Sequence, residues 1–296
     1  MSIIADYKKS LKHVEVEEIL DLYLYRPLAF ALVKAVYRTN ITPNQLTVFS
    51  MFIGILGGIS FGFGHRSAVI LGAVLYGVCI VFDCADGQLA RLKKNGTRLG
   101  RILDGMIDYV VSLSIYLGIG LGLAPESGQP EEAWWLLVAA AGLSNIFHSV
   151  TLDYYRNRFV DYVLGSSSHV KDEDYLSFNE ELDALKAHKG KNLRKAAIGM
   201  YLWYLNLQKK LTLQWNSAKP VKKFNEEELF RKNKAALRGW TFFGSTTGGT
   251  LLIVSTLLGR IDFYFWGLIV VGNLWTAVMF VIQNRIDHSL AEEAAS

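Results

Sequence analysis

The chain has 296 residues, 51% hydrophobic and 20% charged, with a net charge of +4 and a mean hydropathy of +0.22. An apolar share above the roughly 45–50% of soluble domains excludes a disordered or collagen-like chain, and two cysteines exclude a disulfide-stapled mini-domain. Charge is nearly absent from several stretches of about twenty residues and dense between them, so a single soluble core is not expected. No basic tract with interleaved aromatics points to nucleic acid. Cys79 and Cys84 lie five apart, where a helix turns them to different faces, and no bond between them is expected.

Met1 to Lys12 lacks the apolar stretch and small-residue cleavage site of a signal peptide, so this segment is expected in the mature protein. From Glu17 to Val36, apolar residues alternate with Glu18, Asp21, Arg26 and Lys34. That pattern predicts an amphipathic helix lying in a membrane interface, bent or split at Pro27; a soluble helix packed on cytosolic segments is the alternative. Six candidate spans follow, at 44–63, 68–90, 102–123, 134–153, 240–258 and 261–282. Each is near the roughly 20 residues a helix needs to cross about 30 Å of hydrocarbon. Thr42-Pro43 opens the first with a hydroxyl able to cap and a residue that needs no amide donor, while Gly54, Gly57, Gly58 and Gly62 permit close helix contacts.

Lysine and arginine set the expected orientation. The link between spans two and three carries Arg91, Lys93, Lys94, Arg98 and Arg101, and the link from Tyr154 to Gly239 carries seventeen more. The opposite links hold only Arg66 and Arg260. A multi-pass protein of a cell's inner membrane, with both termini inside, satisfies this pattern. The organisation expected is an all-α integral membrane protein with six transmembrane helices: an interfacial segment at 1–40, spans one to four at 41–153, a helical cytoplasmic insertion at 154–239, and spans five and six with a tail at 240–296. Within the insertion, 165–168 reads as a flexible break, 173–195 as a charged helix, and 198–215 as an amphipathic aromatic stretch suited to a membrane surface or a helical hairpin.

Four aspartates stand where a lipid-facing helix should hold none: Asp83, Asp86, Asp104 and Asp108. Each costs roughly 2.5–3.5 kcal/mol at the centre of a spanning helix, so they demand compensation. Asp83 and Asp86 are i, i+3, and Asp104 and Asp108 are i, i+4, so each pair shares a helix face. A hairpin turning through residues 91–101 sets the two faces opposite each other near the cytoplasmic surface. Converging carboxylates repel, and a divalent cation relieves that; all-oxygen ligands favour Mg²⁺, with Mn²⁺ or Ca²⁺ as substitutes. Pairing with Arg91, Arg98 or Arg101 is the structural alternative. Gly87, Ala90, Gly100 and Gly105 clear space beside the carboxylates for a ligand.

Asp83-Cys84-Ala85-Asp86-Gly87-Gln88-Leu89-Ala90-Arg91, eight residues, Gly100, three residues, Asp104, three residues and Asp108 together match the signature of the CDP-alcohol phosphatidyltransferases at every fixed position. The chain resembles that family over about 26 residues, and the six-span plan and the Thr42-Pro43-Asn44 sequence extend the likeness, although the 154–239 insertion is atypical of its small members. The resemblance implies a homodimeric membrane enzyme that transfers a phospho-alcohol unit from a CDP-linked alcohol to an acceptor hydroxyl and releases CMP. It implies that Asp83, Asp86 and Asp104 hold metal. Asp108 would serve a second ion and act as general base, taking the proton of the acceptor. Gly87, Ala90, Arg91 and Gly100 would surround the cytidine and diphosphate, with Asn44 and Thr42 closing from span one.

The donor expected is CDP-diacylglycerol; transfer of a choline or ethanolamine head group to a lipid alcohol is the alternative. Tyr109-Val110 follows the fourth aspartate where the inositol-phosphate branch of the family carries an arginine, which disfavours an anionic sugar acceptor. Arg101, Asn145, His148, Arg156 and Arg158 are candidates for an acceptor pocket, and for Asn145 and His148 an interhelical hydrogen bond is the competing role. An ion-coupled transporter is the reading from another class, but the halves show no internal repeat, and the acidic residues sit near one face of the membrane rather than its midplane.

Overall fold

A computed structural model describes residues 3–11, 14–124, 128, 130–163, 178–180, 182–185, 195, 198–199, 202–203 and 226–293. Among these, every regular element is helical: α1 (Ile3–Ser10), α2 (Arg26–Val36), α3 (Pro43–Gly62), α4 (Arg66–Lys93), α5 (Arg98–Leu123), α6 (Glu131–Val163), α7 (Glu226–Trp240), α8 (Ser245–Leu257), α9 (Ile261–Trp266) and α10 (Asn273–Glu293). Single π turns cover Asp21–Tyr25 and Gly267–Gly272. Five of the described stretches are long and apolar enough to cross a membrane: Pro43–Gly62, Arg66–Lys93, Leu103–Leu123, Glu131–Val160 and Ile261–Leu290. Along α3, the large exposed residues Phe49, Phe52, Leu56, Ile59 and Phe63 recur every three or four positions, as a lipid-facing stripe must. The chain reads as a multi-pass membrane protein.

The expected span at 240–258 is interrupted. α7 ends at Trp240, a 3₁₀ turn covers Thr241–Phe243, and extended Gly244 precedes α8. At 13 residues, α8 reaches only about 20 Å, short of a bilayer's hydrocarbon thickness. Expectations for 165–168, and most of those for 173–195 and 198–215, lie outside the described residues; 178–180 and 182–185 are helical.

The described chain divides into two compact units, Met1–Ser149 with Thr241–Trp275, and Val150–Trp240 with Thr276–Ser296. In the second, Tyr155 stacks on Trp240 with ring centroids 4.2 Å apart, and the indole N–H of Trp240 donates to Gln283 at 3.2 Å. Arg158 pairs with Asp287 at 2.8 Å.

In the first unit, α3 lies between α4 and α5. Its start follows the local rule: Thr42 accepts from the Gln45 amide, the Gln45 side chain accepts from the Thr42 amide at 2.9 Å, and Pro43 occupies the first turn. The approach of α3 to α5 is backbone to backbone. A Cβ on Gly118 would fall on the Gly58 carbonyl, and one on Gly122 on the Phe61 carbonyl. Buried Ile107, Val111, Ile115, Ile119 and Leu123 then form a stripe at intervals of four along α5, packed with Phe61, Ala73 and Trp134.

The segment before α3 is more buried than an interfacial helix needs. Pro27 stands in the first turn of α2, where its missing N–H costs nothing, and the π turn at Asp21–Tyr25 leads into it. Tyr25, Ala29 and Val33 pack with Leu46 of α3 and with Cys84, Ala85 and Leu89 of α4. The acidic residues turn inward: Glu17 pairs with Arg26 at 2.8 Å, and Glu18 accepts from the amides of Thr246 and Thr247 at 3.2 and 2.9 Å, capping α8. Asp21 accepts from the Thr246 hydroxyl at 3.0 Å. On the surface, Lys34 binds Asp6 at 2.8 Å and holds that carboxyl below its usual range.

Candidate active site

The four-residue connection from α4 to α5 folds back because Lys94 takes the left-handed conformation (φ 53°), its amide and that of Asn95 both closing on the Ala90 carbonyl. Thr97 then caps α5, accepting from the Gly100 amide at 2.9 Å. This hairpin brings the two aspartate pairs to one end of the bundle. Ligand oxygens of Asp83, Asp86 and Asp104 lie within 4.8 Å of one another. Asp86 is 5% exposed, and its Oδ2 is buried without a hydrogen-bond partner. A buried carboxylate oxygen left in that state is costly, and a hard divalent cation satisfies it. The donor set therefore fits Mg²⁺ or Mn²⁺. Asp108 stands one turn beyond Asp104, exposed, and close enough for its charge to act on Asp83.

The remaining candidates cluster around this end. The Arg91 guanidinium lies over Gly87, where a Cβ would sit 3.4 Å from Nη1 and 3.5 Å from Nη2. Gly100 faces Asn44 of α3: a Cβ there would come within 2.8 Å of Asn Oδ1 and 3.0 Å of the Thr97 hydroxyl. Thr42, two residues earlier, is occupied as the cap of α3. The ammonium of Lys93 donates to the Thr39 and Ile41 carbonyls at 2.9 and 2.8 Å and so ties the α2–α3 link to the end of α4. Sequence reading did not find Lys93 in this role. Nor did it find the Ser10 carbonyl, which accepts from Arg91 Nε.

Of the suggested acceptor-pocket residues, Asn145 and His148 belong to the first unit. His148 is 2% exposed and meets Asn273 at 2.9 Å; Asn273 in turn donates to Ser144 at 2.9 Å, which is the interhelical role. Asn145 Oδ1 lies against Gly248, 3.0 Å from where a Cβ would stand. Arg156 and Arg158 belong to the second unit and pair with Asp153 and Asp287, and the Arg101 side chain is outside the described residues. Both cysteines are buried and free.

The hairpin thus gathers three carboxylates, the Arg91 guanidinium and the backbone of Gly87 and Gly100. The sequence model of the CDP-alcohol phosphatidyltransferase family matches residues 40–156 of the chain. Among its relatives, a phosphatidylinositol phosphate synthase of Corynebacterium glutamicum is 29% identical over 42% of this chain and 54% of its own length. An archaetidylinositol phosphate synthase of Pyrococcus horikoshii is 35% identical over 30% of this chain and 46% of its own. A bifunctional IPC transferase and DIPP synthase of Thermococcus kodakarensis is 27% identical over 40% and 26%. The chain thus spans about half the length, or less, of the relatives it matches.

Proposed function

We propose that the chain is a phospholipid-biosynthetic transferase that moves a phosphatidyl group from CDP-diacylglycerol to an acceptor alcohol and releases CMP. The observation that carries this reading is the convergence of Asp83, Asp86 and Asp104 at the end of the bundle that also holds Arg91, Gly100 and Asn44. A divalent cation on the three carboxylates, with a second served by Asp108, would neutralise charge on the diphosphate and the leaving phosphate. Asn44, Gly87 and Gly100 admit the cytidine and diphosphate, and Arg91 supplies a fixed donor to the phosphate oxygens. Asp108 takes the proton of the acceptor hydroxyl as that oxygen bonds to the phosphorus bearing the lipid alcohol. The bond from that phosphorus to the bridging oxygen breaks, and its electron pair leaves with CMP.

The lysine and arginine pattern supports a site on the cytoplasmic side of a cell's inner membrane, where soluble and lipid substrates would meet. A homodimer belongs to the same reading. The names of the relatives favour a phosphorylated inositol as acceptor, whereas Tyr109-Val110 after Asp108 disfavours it, so the acceptor panel must include neutral and phosphorylated polyols. Purified protein with Mg²⁺ is expected to release CMP from CDP-diacylglycerol only when an acceptor is present. Release from CDP-choline or CDP-ethanolamine with a lipid alcohol instead would reverse the direction of transfer, and a panel with no CMP at all would remove the transferase.

Two substitutions separate the roles. Asp108→Asn is expected to keep nucleotide binding and lose about 10²–10⁴-fold in turnover, the usual contribution of a general base. Unchanged turnover would remove it from that role. Gly100→Ala forces Asn44 and Thr97 aside and is expected to raise KM for the donor about tenfold, as small misplacements of binding groups do. An unchanged KM would detach this corner from the nucleotide.

A further inference from the structure

Cys84, Gln88 and Arg91 stand at i, i+4 and i+7 on α4 and so share one face, beside the face of the metal-binding carboxylates. All three meet the N-terminal segment. The Cys84 thiol lies 3.8 Å from Asp21, the Gln88 side-chain amide donates to the Arg26 carbonyl at 3.2 Å, and Arg91 Nε donates to the Ser10 carbonyl. Ser10 is the last residue of the eight-residue α1, where a carbonyl has no partner within the helix and the helix dipole is negative. A guanidinium is well matched to that position. Bonding through Nε leaves the terminal nitrogens of Arg91 over Gly87, and Nη2 is buried with no hydrogen-bond partner. A buried donor in that condition is costly until an acceptor arrives.

α1 is itself anchored. Tyr7 donates from its hydroxyl to the Leu22 carbonyl at 3.2 Å and packs edge-on against Phe30 with centroids 5.1 Å apart. Its carbonyl accepts from the hydroxyl of fully buried Ser10 at 2.6 Å, and Asp6 pairs with Lys34 at 2.8 Å. We infer that α1 is a positioning element of the active site: anchored by Tyr7, it uses the Ser10 carbonyl to hold the Arg91 guanidinium over Gly87, where Arg91 receives the diphosphate of a CDP-linked donor. This inference rests on the transferase reading above. It adds that a helix outside the family-matched residues 40–156 sets the affinity for the second phosphate.

The test is equilibrium binding of CDP and of CMP, each with Mg²⁺, to the full-length chain in detergent. CDP carries the second phosphate and CMP lacks it. Tyr7→Ala is expected to weaken CDP about tenfold, the scale of one charge-assisted hydrogen bond, while CMP stays within about twofold. Arg91→Lys should do the same, and the double variant should be no weaker than Arg91→Lys alone, since both act through one guanidinium. Should Tyr7→Ala not fold, Tyr7→Phe loses only the hydroxyl bond to Leu22 and carries the test with about a threefold loss for CDP alone. Equal losses for CDP and CMP, losses that multiply in the double variant, or CDP affinity unchanged in a folded Tyr7 variant would overturn the inference and leave the transferase standing. Wild-type protein that binds neither nucleotide would overturn both.

Discussion

Asp86→Ala is expected to cost at least about 10³-fold in Mg²⁺-dependent CMP release, the several kcal/mol that metal neutralisation of a phosphoryl transition state supplies. The same variant should unfold no more easily than wild type in the absence of metal. Asp86 sits at 5% exposure beside two other carboxylates with Oδ2 unpartnered, so alanine removes both repulsion and an unmet desolvation cost. Function and stability therefore move apart, as they do where a site stores strain for its ligand. Chelation of the wild-type protein should reproduce the loss, and added Mg²⁺ should reverse it. A fully active Asp86→Ala protein would sink the metal assignment, and an inactive one whose thermal midpoint fell by many degrees would move Asp86 from chemistry to folding.

Gly118→Val acts on the frame. A Cβ at this position lands on the Gly58 carbonyl, a backbone atom that no rotamer change can withdraw, and valine adds two methyl groups to the clash. α3 must then separate from α5, and α3 carries Asn44 to Gly100 while α5 carries Asp104 to Asp83 and Asp86. The expected loss is about 3 kcal/mol or more, at the upper end for overpacking, with activity lost in proportion to folded protein. Gly105→Val is the control on the same helix, because among the described residues no atom outside its own helical turns lies within 4 Å of a Cβ there. Thermal unfolding in detergent separates them: equal midpoints would mean that the α3–α5 contact is looser than its geometry requires.

The parts of the site that were legible are those whose signal is local and expensive. Four aspartates in two apolar stretches cannot be there by default, and their i, i+3 and i, i+4 spacings already place them on shared faces. Thr42-Pro43 reads directly as a helix start and is one, because a capping box is completed within four residues. The same reasoning, applied to Glu17, Glu18, Asp21 and Arg26, would have flagged a second buried charged cluster. By sequence alone it fits the polar side of a surface helix equally well, because single charges among apolar residues suit either pattern. The partners of Glu18 and Asp21, Thr246 and Thr247, lie more than two hundred residues away. The helix expected to run unbroken over 240–258 is interrupted for a related reason: hydropathy averages over the window and does not register that Gly244 and the carboxylate of Glu18 start a new helix inside it.

By itself, the sequence determined the helical class, most of the apolar spans, the start of α3 and the four carboxylates at a fixed spacing. All of these follow from periodicity and from the cost of charge in an apolar stretch, which act over one or two helical turns. The tertiary structure alone decided which groups complete the site: the carbonyl of Ser10 for Arg91, the carbonyls of Thr39 and Ile41 for Lys93, and the side chain of Asn44 for Gly100. Backbone carbonyls are the same in every residue and leave no mark in the sequence, so only the packing of α1, α2 and α3 against α4 and α5 selects which of them a cation meets.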